Sequence, residues 1–200
     1  MSKFAKIISS GSYLPEKILT NKELESIVDT TDEWITERTG IKERRVSSDD
    51  ETSVDMAYQA SIDAIDKSGI KKEEIGAIFL ATCTPERKFP STAVLLQNRL
   101  NIKNAFSVDL NAACTGFVYA LDIAKKYIES EQVKYALVVG TEKLTSLLDW
   151  TDRNTCVLFG DGAGAMIVSS SDTPGILSST IGSDGSVSYT HLTLPTSDLV

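Results

Sequence analysis

The sequence predicts an α/β fold in which a mostly parallel sheet carries helices on both faces. Three observations predict it. From residue 52 to residue 140 the patterns alternate as helix, strand, helix, strand, helix, strand, the rhythm of right-handed β-α-β units. The runs Ile75 to Ala81 and Tyr135 to Gly140 are short and continuously apolar, as parallel strands buried on both faces require. The 200 residues, 42% hydrophobic and 24% charged, supply one sizeable core.

In chain order, Ala5 to Ser9 reads as a first strand, and Gly11 to Pro15 turns the chain. Thr20 or Asn21 caps a short helix bearing Leu24, Ile27 and Val28 on one face. Thr30-Thr31-Asp32-Glu33 opens a second, carrying Trp34, Ile35 and Arg38, and Gly40 ends it as a left-handed cap. Ile41 to Val46 is polar and reads as an exposed strand or arm. Thr52 or Ser53 starts a long helix in which Val54, Ala57, Tyr58, Ile62 and Ile65 recur at three and four residues, and Ser68-Gly69 closes it. After the strand to Ala81 comes a loop, Pro85 to Pro90. Ser91 or Thr92 then caps a helix with Val94, Leu95 and Leu100. The strand Phe106 to Leu110 leads to Cys114 and a further helix with Phe117, Ala120, Leu121, Ala124 and Ile128 on one face. Beyond residue 140 a polar excursion, 141 to 156, precedes Val157 to Val168, which reads as two strands around a glycine-rich bend.

The net charge of −8 and the sequence pI of about 4.7 argue against non-specific nucleic-acid binding, which needs Lys and Arg to displace counterions. The pairs Arg44-Arg45, Lys71-Lys72 and Lys125-Lys126 read as solvated faces. Three cysteines, Cys83, Cys114 and Cys156, at spacings of 31 and 42, are no disulfide framework and no zinc pattern. Reduced thiols fit a cytoplasmic protein. The N-terminus is too poor in apolar residues for a signal peptide, and no run approaches the length of a membrane span. A soluble cytoplasmic protein with no metal site is the expectation.

The chemistry centres on Cys114. A strand delivers it to a small-residue turn, Ala112-Ala113-Cys114-Thr115-Gly116, and a helix begins behind it. Peptide dipoles at a helix N-terminus favour a thiolate, and nearby backbone N–H groups are placed to bind an oxyanion. The alternative is a small buried hydrophobe, the reading given to Cys83 and Cys156.

The segment Val108-Asp-Leu-Asn-Ala-Ala-Cys-Thr-Gly-Phe-Val-Tyr-Ala-Leu121 resembles the nucleophile segment of the β-ketoacyl-acyl-carrier-protein synthase III family. The stretches 30–45, Lys88-Phe-Pro-Ser91, 134–140 and Phe159-Gly-Asp-Gly-Ala-Gly-Ala165 match it in register. The resemblance covers about residues 3 to 186. It implies a thiolase-like layered β-α-β-α-β fold, here its N-terminal half plus an incomplete remainder. It also implies that Cys114 takes an acyl group, usually acetyl, from acyl-coenzyme A. Decarboxylation of malonyl-acyl carrier protein then supplies the carbanion that completes a β-ketoacyl product. Splitting the reaction at a covalent intermediate makes two easier steps. By resemblance, Trp34 and Arg153 clamp the adenine of coenzyme A, while Arg38 and Thr30 lie at the same mouth. Phe89 and Phe159 are assigned to the acyl pocket, Phe89 by reaching across a homodimer interface. No permanently bound cofactor is implied.

Two features depart from this pattern. The family's histidine and asparagine partners of the cysteine are absent from the 200 residues, since His191 is followed by Leu-Thr-Leu. The expectation is therefore a domain at 1–186 with little condensing activity of its own. Residues 187–200 resemble translated read-through of a sequencing adapter and are expected to be a non-native tail; the alternative is a native exposed loop. Three other functions stay open. One is a homologue that only binds coenzyme A; another is a thiolase-fold enzyme that condenses without carrier protein. The third is an NAD(P)-binding domain, because Gly160-Asp-Gly-Ala-Gly-Ala165 satisfies the loose form G-x-G-x-x-A with Asp184 beyond it. That fingerprint must open a helix, and Ala165 to Val168 reads as a strand.

Overall fold

The computed structural model describes residues 3 to 187; the tail expected to be non-native lies, from residue 188 on, outside the described residues. A five-stranded sheet is built from β1 (Phe4–Tyr13), β4 (Ile75–Ala81), β5 (Phe106–Leu110), β6 (Tyr135–Lys143) and β7 (Asp161–Ser171). Their order across the sheet is β1-β7-β6-β4-β5. A two-stranded antiparallel ribbon, β2 (Lys17–Thr20) with β3 (Glu43–Val46), forms a separate arm. The arm carries α1 (Asn21–Leu24) and α2 (Asp32–Thr39). The remaining helices are α3 (Ser53–Ser68), α4 (Thr92–Leu100) and α5 (Gly116–Glu129).

The sheet is mixed rather than mostly parallel. β5, β4 and β6 are parallel, whereas β7 is antiparallel to both β6 and β1. The expected two strands at 157–168 are one. Pairing runs without interruption from Lys143↔Asp161 to Tyr135↔Ser169, so the glycines of 160–164 are not a bend. Residues 43–46 form the expected strand, but it is not exposed throughout: β3 pairs with β2 and sends Arg44 inward, 5% exposed. The first strand runs four residues beyond Ser9, to Tyr13.

Right-handed crossovers explain the two helical layers. From β4 the chain moves outward to β5, then returns past β4 to β6, so connections of one hand place α4 and α5 on opposite faces. α3 and α4 cover one face, packing Ala57, Ala60 and Leu96 on Ile78, Leu80, Leu137, Val139 and Ile167. α5 covers the other, packing Ala120, Ala124 and Ile128 on Ala77, Phe79, Ala136, Val138 and Val168. Alternate residues of β4 thus enter alternate cores, and every β4 residue except Gly76 is buried.

The helix ends follow the caps written in the chain. Thr31, Thr52 and Ser91 accept from the third helical N–H of α2, α3 and α4, and Gly40 and Gly69 are left-handed at φ 73° and 72°. The start of α4 has a second partner: the Asp109 carboxylate on β5 accepts from Thr92 N at 2.8 Å and Ala93 N at 2.7 Å.

Candidate functional site

The mixed sheet brings one set of strand ends together. β4, β5 and β6 finish on the rim where antiparallel β7 begins, Gly140 lying opposite Gly164 and Glu142 opposite Gly162. Ligands of open α/β sheets bind at such carboxyl ends. A cavity of about 560 Å³ occupies the rim, lined by Cys83 after β4, Cys114 after β5, Gly140 to Glu142 of β6 and Gly162 to Gly164 of β7, with Leu14, Phe117, Leu144 and Phe159 completing it.

Cys114 is an exposed free thiol on this cavity. Ala113, at φ 45°, is left-handed, an uncommon state for a residue with a Cβ. The turn is tightened by Thr115, whose N–H and hydroxyl both donate to the Ala112 carbonyl, at 3.2 and 2.8 Å. Ala113 to Thr115 form a 3-10 turn that feeds α5 at Gly116, so the thiol precedes the α-helix proper by one short turn. Gly116 packs tightly there: a Cβ would stand 3.1 Å from Ala81 Cβ. The turn, the left-handed alanine and the glycine together put the sulfur at the mouth of a helix, facing apolar space.

Cys83 is half-buried rather than buried and lines the same cavity. Burial, then the neighbouring Glu142 carboxylate, pushes its pKa up to about 11, so it rests as a neutral thiol. Cys156 is fully buried, and burial raises it as well. Phe159 lines the cavity, while Phe89 is 82% exposed and does not.

Three further residues singled out by resemblance are gathered at α2. The Arg38 guanidinium lies 4.5 Å from the centroid of the Trp34 ring, and that of Arg153 lies 4.4 Å from it, within range of cation–π attraction. Arg153 also faces Asp29 at 3.9 Å. Thr30, just before the α2 cap, has a buried hydroxyl oxygen without a hydrogen-bond partner among the described residues.

A polar pin holds this cluster, and sequence reading missed it. Asn21, 1% exposed, donates through Nδ2 to Asp32 Oδ1 at 2.8 Å and to the Ile41 carbonyl at 2.7 Å. Its Oδ1 accepts from Arg44 at 2.9 Å, and the same Arg44 nitrogen donates to the Val157 carbonyl at 2.9 Å. The start of α2 is thereby tied to the segment that carries Arg153. Asp161 forms a second pin: its carboxylate accepts from the backbone N–H and hydroxyl of both Ser47 and Thr145 at 2.6–2.9 Å. A charged pair in a four-residue strand and an aspartate in a glycine run gave no local sign of either role.

Among the described residues no helix is long and apolar enough to cross a membrane, and no group of three or more His, Cys, Asp or Glu is arranged to hold a metal ion. The run 160–165 does not open a helix, since Asp161 begins β7; the dinucleotide fingerprint lacks its structural context.

Residues 108–185 match the family model of 3-oxoacyl-[acyl-carrier-protein] synthase III. The chain is 54% identical over 188 residues to β-ketoacyl-[acyl-carrier-protein] synthase III of Xanthomonas euvesicatoria, covering 93% of this chain and 58% of that protein. The enzyme of the same name from Clostridium acetobutylicum is 54% identical over 180 residues, 90% of this chain and 55% of that one. Among solved structures, the Thermus thermophilus β-ketoacyl synthase III superposes with a TM-score of 0.88 at 42% identity, covering 92% of this chain and 57% of that chain. The Aquifex aeolicus 3-oxoacyl synthase III does so at 0.83 and 54% identity, covering 84% and 55%. The fold is thus the thiolase-like α/β fold of these synthases. The chain spans somewhat over half the length of the curated relatives it matches.

Proposed function

We propose, because the chain belongs to the 3-oxoacyl-[acyl-carrier-protein] synthase III family, that Cys114 is the acyl acceptor of an acyltransferase that initiates fatty acid synthesis. The observation that carries this reading is the exposed Cys114 thiol standing at the α5 turn on an apolar cavity. In the acylation step, Cys114 Sγ bonds to the thioester carbon of an acyl-coenzyme A. The bond from that carbon to the coenzyme A sulfur breaks, and the departing thiolate takes up the proton that Cys114 gave up. The Thr115 and Gly116 N–H groups donate to the Ala112 and Ala113 carbonyls, and the donor proposed for the oxyanion of the tetrahedral adduct is the Cys114 N–H. Trp34, Arg38 and Arg153 hold the coenzyme: an indole and two guanidinium planes suit a purine and its phosphates. Thr30 lies beside them at the N-terminus of α2. Phe159 and Phe117 line the acyl group's chamber, whose volume admits a short chain.

In the second step malonyl-acyl carrier protein loses carbon dioxide, and its carbanion displaces Cys114 from the acyl carbon to give a β-ketoacyl product. This step needs groups beyond the described residues: the only histidine of the 200 residues is His191. The 200 residues alone are therefore expected to take the acyl group and not to condense it. The full-length enzyme acts as a homodimer. Edge strand β5 exposes Phe106 and Val108, and Phe89 is exposed in the loop before α4, surface that a second copy covers, with Phe89 reaching the partner's acyl pocket. Reduced, unpaired Cys83, Cys114 and Cys156 fit a cytoplasmic setting, and no permanently bound cofactor is needed for thiol acyl transfer.

Acetyl-coenzyme A treatment followed by peptide mass spectrometry tests the reading. One acetyl group is expected on Cys114, and Trp34→Ala is expected to weaken coenzyme A binding about tenfold through loss of the stacked ring. Acetylation confined to Cys83 or Cys156 refutes the assignment of the nucleophile.

A further inference from the structure

The cavity beside Cys114 is apolar except at one wall. Among the described residues Glu142 is the one charged side chain that lines it. Its carboxylate accepts from Cys83 N at 2.9 Å, from the Thr84 hydroxyl at 2.6 Å and from the Thr82 hydroxyl at 3.3 Å. Three donors converging on two oxygens is the arrangement of an ionised carboxylate, which only accepts. The donors are themselves anchored. Thr82 and Thr84 are buried, the Thr84 carbonyl accepts from Ser53 Oγ at 2.8 Å, and Thr84 Oγ1 accepts from Lys143 N at 2.8 Å. The charge is thus fixed at the end of β6, beside an apolar chamber, and no cation pairs with it among the described residues. Lys143, its neighbour in sequence, points its ammonium to the carbonyls of Ser48, Asp49 and Glu51.

We propose that Glu142 is a specificity-determining residue that rejects acyl groups ending in a carboxylate and so reserves Cys114 for neutral acyl groups. This rests on the reading of Cys114 as the acyl acceptor. An anionic terminus entering the chamber loses its hydration, meets apolar walls and faces a like charge that cannot move away. The last of these penalties is the one Glu142 adds, and it is strengthened because the charge stands against largely apolar walls. A neutral chain meets none of them. The consequence is a division of labour between two substrates: the malonyl group of the condensation partner is kept from occupying the nucleophile, where it would block priming. The raised pKa of Cys83 follows in part from the same charge.

The test is the initial rate of Cys114 acylation, read by mass spectrometry, from four coenzyme A thioesters in two near-isosteric pairs. Malonyl is compared with isovaleryl, its neutral counterpart, and the cationic β-alanyl with butyryl; any malonyl label is counted with or without loss of carbon dioxide. In the parent chain the anionic member is expected to be disfavoured by roughly tenfold more than the cationic one, since only one sign of charge is repelled by a carboxylate. In Glu142→Gln the malonyl-to-isovaleryl ratio is expected to rise about tenfold and the β-alanyl-to-butyryl ratio to fall. The parent measurement needs no variant: if anion and cation are penalised equally there, desolvation alone sets the preference and the proposal fails. It fails too if Glu142→Gln leaves both ratios unchanged. If none of the four thioesters labels Cys114, the acyl-acceptor reading is itself refuted, and this inference with it.

Discussion

Asp161→Ala is expected to be among the most damaging single changes outside the apolar core, and its size follows from the bonds it removes. Asp161 is 5% exposed and holds two chain segments that lie 98 residues apart in the sequence, at Ser47 and Thr145. Alanine leaves two buried backbone N–H groups without an acceptor. Each orphan costs about 1–3 kcal/mol, or about 4 kcal/mol for the pair. The two hydroxyls can turn to other acceptors, and removing a buried carboxylate also removes its own desolvation cost. A net loss of about 3 kcal/mol remains. At a urea slope of about 2 kcal/mol/M this lowers the unfolding midpoint by about 1.5 M with the slope unchanged. Asp161→Asn makes the sharper test. Oδ1 accepts from Thr145 N and Oδ2 from Ser47 N, so whichever way the amide is turned its NH2 faces one of these donors. The asparagine variant is therefore expected to lose about 1–2 kcal/mol, between parent and alanine. Denaturation followed by circular dichroism reads both. If both variants unfold within about 0.5 kcal/mol of the parent, the pin holds nothing and the reasoning is wrong.

Two other outcomes follow from the packing and the ionisation of single residues. At Gly11 a Cβ would stand 2.3 Å from the Ala60 carbonyl oxygen and 2.4 Å from Ala64 N; Gly11→Ala is therefore expected to push β1 off α3 and cost about 3 kcal/mol, and a thermal midpoint equal to the parent's would show that β1 does not sit so close. Cys83 is raised from 9.0 to about 11, so its alkylation rate is expected to keep climbing tenfold per pH unit until about pH 11, read by peptide mass spectrometry; a plateau near pH 9 contradicts the burial. Because its folded pKa lies above its unfolded one, Cys83 contributes stability that is present below pH 9 and lost as pH rises from 9 through 11.

Much of the local structure was legible because its causes lie within four residues of each other. Of the candidates read at each start, Thr31, Thr52 and Ser91 are the caps, and Gly40 and Gly69 end their helices, since a cap needs only a side-chain oxygen and the N–H two or three residues on. The strand Ile75–Ala81 was legible because burial on both faces leaves no polar alternation. β7 was not. Glycines at 160, 162 and 164 look like a bend, yet β1 and β6 supply hydrogen-bond partners on both edges, and a backbone paired on both sides needs no side chain to stay extended. Arg44 and Arg45 read as one solvated pair; pairing with β2 gives a period of two, which sends Arg44 inward to Leu19, Asn21 and Val157.

The site divides in the same way. The turn that presents Cys114 is written in Ala112 to Gly116 and was readable as a small-residue entry to a helix; that Ala113 is left-handed was not. What surrounds the thiol was not readable, because the cavity is assembled from residues that share no local pattern: Leu14, Cys83, Glu142, Phe159 and Gly164. They meet only because two crossovers of one hand carry β5 and β6 to opposite sides of β4 and an antiparallel β7 starts at the rim where those strands end. The sequence by itself determined the helices, the central parallel strands and the turn that presents Cys114. The tertiary structure decided which wall faces the Cys114 thiol and that, among the described residues, a single carboxylate stands in it, for sheet order is a property of pairings between residues tens of positions apart, where no neighbour-to-neighbour rule reaches.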